Sequence, residues 1–180
     1  AGFLGTDFGF RRVSFAGPLK DMAVTFFAHA TGSYSLAERM MEERELKEKP
    51  DPRLKGSPRF IAQTLGSEWG RDMLGDRVWV DIALAKVERA SAEGVSVVID
   101  DVRFPNEADA IREVGGEMIY LYRPHYADAN TTEYGHRSEG GIPENYPFID
   151  RIVNAGSLDD LRRETHDVMR GTFGLEPTVC

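Results

Sequence analysis

Short runs that predict strands alternate along the chain with stripes of apolar residues at helical spacing. The runs cover residues 10–16, 95–99, 117–122 and 149–153. Between the runs, apolar side chains recur every three or four residues, as in Leu19, Met22, Ala23, Phe26 and Phe27, which predicts helices. The nearly continuous run 95–99 is typical of a strand covered on both faces. Helices that alternate with such strands predict an α/β fold on a parallel sheet.

Capping residues mark where the predicted helices begin and end. Gly17 and Pro18 predict the start of the first long helix, because proline is favoured in the first helical turn. Ser35 and Glu38 have the spacing of a capping box and predict the start of a second, highly charged helix. Further predicted boundaries are starts at Ser57, Pro105 and Ser157 and a C-terminal glycine at Gly94.

Composition and charge narrow the class of protein. A chain of 180 residues, 41% apolar and 29% charged, suits one compact domain with a hydrophobic core. The formal net charge of -8 argues against binding to a nucleic-acid backbone, but a few placed arginines can still bind a phosphorylated small molecule. No stretch approaches the roughly 20 apolar residues of a membrane span. Cys180 is the single cysteine, which excludes a disulfide within one chain and fits a reducing cytoplasm. We therefore expect a cytoplasmic protein that is not associated with a membrane.

Ligands of parallel sheets bind beyond the carboxyl ends of the strands, so the residues that follow the strands are the first candidates. Lys20 lies in the first turn of a helix, where a bound anion would offset repulsion by the positive helix end. Asp101 ends the next strand and could hold Mg²⁺ or its water, and Arg103 could bind phosphate. The alternatives left open are a solvated Lys20 and an Asp101 that caps the next helix and pairs with Arg103.

A third group of candidates lies in a helical segment interrupted by two glycines. Trp69 could stack on a base and Arg71 could bind phosphate, with Glu68 beside them; alternatively Trp69 belongs to the core. Glycines inside a helical pattern indicate the close approach of a ligand or another helix.

Two polar segments are the last candidates for ligand binding. Residues 123–147 form a long polar stretch that could close over phosphates as a lid, or be a plain surface loop. Residues 154–157 follow the last strand and could border an adenine ring, or form an ordinary turn. Residues 31–56 are expected to be a mobile insertion of helix and loop.

Five segments, taken in order, resemble bacteriophage deoxynucleoside monophosphate kinases. They are residues 12–20, 65–71, 98–107, 136–139 and 152–156. Animal phosphomevalonate kinase is a more distant relative with similar Pro-Leu-Lys, Asp-x-Arg and Ser-Glu segments. The resemblance covers about residues 9–170. It implies one kinase domain over residues 1–180, with an adenylate-kinase-like P-loop fold: a three-layer parallel sheet with helices on both faces, and a lid.

The resemblance also implies a reaction in which ATP and a dNMP give ADP and a dNDP, with ATP and Mg²⁺ as cofactors. By position, the acceptor phosphate would be bound by Lys20, Arg71 and Arg103, and Asp101 would help to organise Mg²⁺. The deoxynucleoside would lie near Glu68, Trp69, Asn106 and Glu107. The lid and the adenine border would be formed by Arg123, Arg137, Ser138, Glu139, Asn154 and Gly156.

The chain departs from the family pattern at its start. Family members begin with a strand and a glycine-rich P-loop that ends in Gly-Lys, and residues 2–5 do not match it. Residues 1–7 are interpreted as the end of the following helix, so we expect roughly 20 further residues upstream. Two alternatives stay open: a kinase for another acceptor such as phosphomevalonate, and a non-catalytic nucleotide-binding homologue without the P-loop. A homodimer is compatible with the sequence.

Overall fold

The computed structural model describes residues 1–52, 56–124, 141–143 and 145–178. In this part of the chain the elements follow in the order α1 (Gly2–Phe8), β1 (Arg11–Val13), α2 (Gly17–Thr31), α3 (Tyr34–Glu42), α4 (Arg44–Glu48), α5 (Pro58–Thr64), a π-helix (Leu65–Leu74), α6 (Val78–Ala92), β2 (Val97–Ile99), α7 (Pro105–Glu113), β3 (Ile119–Tyr122), β4 (Asp150–Val153) and α8 (Leu158–Phe173). The chain divides into two compact units. The first unit comprises residues 1–13 and 86–180, and the second comprises residues 14–85.

The first unit contains two pairs of parallel strands. β1 pairs with β2, with Arg11 opposite Val97 and Val13 opposite Ile99. β3 pairs with β4, with Ile119 opposite Asp150. Helix α8 packs on β4, and α1 packs on α8. The predicted α/β class with parallel strands is confirmed, while the three-layer sheet and the lid stay predictions.

The hydrophobic core of the second unit lies between α2, α3 and α5. Its buried side chains are Ala23, Phe27, Ala37, Met40, Met41 and Ala62. Of the apolar stripe predicted in α2, Ala23 and Phe27 are buried here, whereas Met22 and Phe26 are exposed. The predicted insertion over residues 31–56 includes α3 and α4, and α3 contributes three of these core side chains. Its mobility stays a prediction.

Most predicted helix boundaries are confirmed by the hydrogen bonds at the helix ends. The side chain of Ser57 accepts from the backbone N–H of Phe60, and that of Ser157 accepts from Asp160. Gly94 adopts the left-handed conformation with φ 71°, as a C-terminal glycine does. The prediction of a helix start at Ser35 was wrong. Ser33 has the extended backbone of an N-cap, and its hydroxyl accepts from the backbone N–H of Leu36 at 3.2 Å.

The run over residues 95–99 was also expected to be covered on both faces, and this prediction was wrong. Val97, Val98 and Ile99 are each half-buried. Within the described residues, β2 pairs with β1 alone, and β1 begins with two exposed arginines. Such a narrow strand pair leaves part of its surface open, so the apolar run is less enclosed than its sequence indicates.

A buried carboxylate joins the two ends of the first unit. Asp7 on α1 is 1% exposed and receives two hydrogen bonds from Arg162 on α8, Nε to Oδ2 at 2.6 Å and Nη2 to Oδ1 at 2.7 Å. His166 Nε2 lies 2.7 Å from Asp7 Oδ2, and the backbone N–H of Thr178 donates to the Asp7 carbonyl at 2.7 Å. The Arg162 and His166 hydrogen bonds hold the pKa of Asp7 far below its usual range.

Candidate functional site

In the first unit, charged residues follow β2 directly. Asp100 pairs with Arg12 on β1, whose Nε lies 3.0 Å from the carboxylate. This ion pair links the two strands where β2 ends. Asp101 is half-buried and Arg103 is exposed. The structure therefore presents Arg103 to solvent just beyond the carboxyl end of a parallel strand, where the sequence predicted a phosphate ligand.

Glu107 fixes the backbone of the segment that carries Arg103. Its side chain is 3% exposed, and Oε2 accepts the backbone N–H of Arg103 at 2.7 Å and of Phe104 at 3.1 Å. Phe104 is the N-cap of α7, and Pro105 is its first residue. A glutamate at the third helical position that reaches back to the N-cap N–H is half of a capping box. This role was not predicted from the sequence, although the spacing of Pro105 and Glu107 is a signal for it.

A second group of predicted residues follows β3 and β4. The backbone N–H of Asn154 donates to the Tyr122 carbonyl at 2.7 Å, which extends the strand pairing by one residue. Arg123 directly follows Tyr122 and is exposed. It therefore lies near Asn154, the residue that follows β4. A Cβ at Gly156 would collide with the Asp160 carboxylate, so this position is a tight turn into α8. The predicted residues Arg137, Ser138 and Glu139 lie outside the described residues.

In the second unit, the first turn of α2 lies against the π-helix. Lys20 is exposed, and its neighbour Leu19 packs so closely that a Cβ added at Gly66 would lie 3.2 Å from its Cδ2 atom. The structure thus brings the segment around Lys20 next to the segment that carries Glu68, Trp69 and Arg71. This contact between α2 and the π-helix agrees with the sequence argument that glycines allow close approach.

The π-helix presents its three predicted residues differently. Glu68 is exposed and Trp69 is half-buried. The Trp69 ring lies 6.3 Å from the ring of Trp79, inclined by 42°. Arg71 is buried, with 4% of its side chain exposed. Its Nη1 donates to the backbone carbonyl of Asp76 at 3.1 Å and lies 3.6 Å from the Asp76 carboxylate. Arg71 is therefore a charged group enclosed by protein, whereas Lys20 is open to solvent.

Within the described part of the chain, the predicted metal position at Asp101 has few other candidate ligands around it. Across residues 1–52, 56–124, 141–143 and 145–178, no three His, Cys, Asp or Glu side chains group as they would around a metal ion. Asp101 contributes one carboxylate, since the adjacent Asp100 is paired with Arg12. This donor set suits Mg²⁺, which proteins often bind through one or two carboxylates, water and the phosphates of a nucleotide.

Comparison with known proteins identifies the family. A sequence model of the deoxynucleotide monophosphate kinase family matches residues 20–165. The chain belongs to this family. A putative deoxynucleotide monophosphate kinase of Acanthamoeba polyphaga mimivirus is 34% identical over 175 residues, which are 89% of this chain and 83% of the relative. The deoxynucleoside-5'-monophosphate kinase of Escherichia phage T5 is 29% identical over 126 residues, which are 68% of this chain and 49% of the relative.

Family membership makes the protein a kinase, and the resemblance read from its five segments is confirmed. The match over residues 20–165 includes every predicted site residue, from Lys20 to Gly156. Among the described residues, no helix is long and apolar enough to cross a membrane.

Proposed function

We propose that this kinase transfers the terminal phosphoryl group of ATP to a deoxynucleoside monophosphate. A phosphate oxygen of the dNMP forms a bond to the γ-phosphorus, the bond from that phosphorus to the β,γ-bridging oxygen breaks, and ADP leaves. The observation that carries the proposal is the match of the kinase family over residues 20–165. The names of the mimivirus and phage T5 relatives support the same acceptor class.

Three cationic side chains are proposed to bind the acceptor phosphate: Lys20, Arg71 and Arg103. Phosphoryl transfer depends mainly on positioning and on neutralising charge, and these are what cations near the phosphates supply. Arg103 is exposed beyond a strand end on a backbone fixed by Glu107, which suits an anion ligand. Arg71 is always charged and is buried beside Asp76, so a phosphate within its reach would stabilise its charge further.

The deoxynucleoside is proposed to lie near Glu68, Trp69 and Asn106. Trp69 is half-buried and offers an indole on which a base can stack. Glu68 is exposed beside it and can accept hydrogen bonds from base or sugar. Glu107 was predicted to belong to this group, and its observed hydrogen bonds to backbone N–H groups support an indirect contribution through Arg103.

ATP is proposed to lie at the ends of β3 and β4. Arg123 follows β3 and would pair with phosphate oxygens, and Asn154 and Gly156 form the turn that would border the adenine. The segment that contains Arg137, Ser138 and Glu139 is proposed as the lid. Mg²⁺, when bound, would neutralise phosphate charge, held by ATP and water with Asp101 as its protein carboxylate.

A panel of acceptors tests this proposal against its nearest rival. The full-length protein is incubated with γ-labelled ATP and each of the four common dNMPs, phosphomevalonate, or no acceptor. We expect label in at least one dNDP and none in the phosphomevalonate product. Transfer to phosphomevalonate alone would identify a different kinase of this fold. Nucleotide binding without transfer to any acceptor would identify a non-catalytic homologue.

A further inference from the structure

The π-helix in the second unit has an unusual geometry around Arg71. It runs over ten residues, Leu65–Leu74, and is followed by an i→i+5 hydrogen bond from the backbone N–H of Gly75 to the carbonyl of Gly70 at 3.1 Å. π-Helical turns are rare and occur frequently at functional sites, and they shift side chains relative to α-helical positions. This conformation therefore decides where the guanidinium of Arg71 lies.

Trp79 on α6 is packed into the π-helix through both of its internal glycines. The indole Nε1 donates a hydrogen bond to the backbone carbonyl of Gly66 at 2.8 Å. A Cβ added at Gly70 would lie 2.5 Å from Cζ2 and 2.6 Å from Nε1 of the same ring. Because real Cβ atoms do not approach other atoms so closely, Gly70 is needed for Trp79 to occupy its place.

Both residues that Trp79 contacts come shortly before Arg71 in the sequence. Gly66 lies one π-turn before Arg71, and Gly70 directly precedes it. Trp79 is 3% exposed, so its ring is held by surrounding protein. After the π-helix, the chain turns at Gly75 with φ 136° and brings the Asp76 carbonyl to Arg71 Nη1 at 3.1 Å. Arg71 is thus fixed from the Trp79 side through its backbone and from the Asp76 side through its guanidinium.

We infer that Trp79 is a positioning residue for Arg71: its indole maintains the π-helix that places the Arg71 guanidinium for the acceptor phosphate. The inference rests on the proposed function of Arg71. It accounts for the second glycine of the Leu-Gly-Ser-Glu-Trp-Gly-Arg segment. Gly70 provides the space that the ring fills, and the backbone carbonyl of Gly66 accepts the indole hydrogen bond.

The test compares Trp79→Phe, Arg71→Lys and the double variant in the full-length protein. Steady-state kinetics give KM for the dNMP, KM for ATP, and kcat. Trp79→Phe keeps an aromatic ring and removes the N–H that binds Gly66. We expect its KM for the dNMP to rise about fivefold, the effect of one lost hydrogen bond, with KM for ATP unchanged. In the Arg71→Lys background, the same substitution is expected to add nothing further.

Two results would overturn the inference. One is a full additional rise of the dNMP KM when Trp79→Phe is added to Arg71→Lys. The other is a lower kcat with both KM values unchanged, since this indicates only a smaller folded fraction. If Arg71→Lys alone leaves dNMP kinetics unchanged in an active enzyme, the role proposed for Arg71 fails. Absence of dNMP phosphorylation by the unsubstituted protein would instead refute the proposed function.

A second variant keeps the test decisive if Trp79→Phe does not fold. Gly70→Ala places a methyl group against the Trp79 ring, so it is expected to raise the dNMP KM in the same way. Gly171→Ala is the matched control, because no atom lies within 4 Å of a Cβ added there. A Gly70→Ala variant with the kinetics of Gly171→Ala would contradict the inference.

Discussion

Arg162 on α8 holds the buried carboxylate of Asp7 on α1 through two hydrogen bonds of 2.6 and 2.7 Å. The two residues are separated by 155 positions, yet they form a planar two-point pair of the kind that guanidinium and carboxylate groups favour. Asp7 is nearly inaccessible to solvent. The pair therefore connects the helix at the start of the first unit to the helix near its end.

Asp7→Asn is expected to lower the thermal midpoint of unfolding by several degrees. The amide cannot match the charge of Arg162, and one of its two polar atoms would point a donor at another donor. The loss comes mainly from the two charge-assisted hydrogen bonds to the buried Asp7 carboxylate, because Arg162, with 45% of its side chain exposed, stays in contact with water. Calorimetry measures this effect. Asp167→Asn on the exposed face of α8, where the side chain is 76% exposed, is the control and should change the midpoint little.

The contribution of Asp7 to the stability of the fold is also expected to decrease as the pH falls. The pKa of Asp7 is lowered in the folded protein, so its stabilising effect is fully present above the unfolded pKa of about 3.9. It is lost as the pH falls toward the folded pKa. The difference in midpoint between the unsubstituted protein and Asp7→Asn should be largest above about pH 5 and shrink below about pH 4. A difference that grows in acid would contradict this assignment.

Arg103→Ala is expected to reduce kcat/KM for the dNMP by about 10- to 100-fold, the effect of one charge-assisted contact to phosphate. The side chain is exposed, so the thermal midpoint should stay the same. Arg163→Ala is the matched control, because Arg163 is an exposed arginine that pairs with Asp160 on the outer face of α8. Equal activity in the two variants would remove Arg103 from the proposed site.

Glu107→Ala should destabilise the fold and also reduce activity. It leaves the backbone N–H groups of Arg103 and Phe104 without the acceptor seen at 2.7 and 3.1 Å, at a cost of about 1–3 kcal/mol in the free energy of unfolding. Glu107→Gln keeps one acceptor oxygen and should recover part of both losses. Denaturant unfolding and kcat/KM are measured together, with exposed Glu164→Ala as control. Full activity in a destabilised Glu107→Ala variant would show that the cap does not position Arg103.

Removal of divalent cations by a chelator is expected to stop phosphoryl transfer, and added Mg²⁺ to restore it. Asp101→Asn should raise the Mg²⁺ concentration needed for half-maximal activity, because it removes the carboxylate charge at the proposed metal position. Asp109→Asn, which changes an exposed carboxylate on α7, is the control. An unchanged Mg²⁺ requirement in Asp101→Asn would exclude Asp101 from metal binding.

Local signals in the sequence predicted much of the fold. Proline in the first turn and serine caps marked helix starts at Gly17, Ser57 and Ser157, because these signals act over three or four residues. The cap of α3 was misplaced by two residues, since Ser33 and Ser35 both have the right chemistry and the backbone decides between them.

Features that depend on distant contacts could not be predicted in the same way. The pairing of Asp7 with Arg162 joins residues that only the tertiary fold brings together. The π-helix was read as ordinary helix, because its apolar spacing differs little over ten residues. The close contact of Gly70 with Trp79 and the burial of Arg71 become visible only in the folded chain. The candidate residues themselves were found from strand ends and family segments, and their roles stay predictions.

Calorimetric titration of the full-length protein with a dNMP and with the corresponding deoxynucleoside tests the central claim most directly. If Lys20, Arg71 and Arg103 bind the acceptor phosphate, the dNMP should bind at least about 100-fold more tightly, since each charged contact contributes about 1.5–3 kcal/mol. This difference in affinity between the dNMP and the deoxynucleoside should shrink in Arg103→Ala and persist in Arg163→Ala. Equal affinity for the two ligands, or an advantage unaffected by Arg103→Ala, would contradict the account.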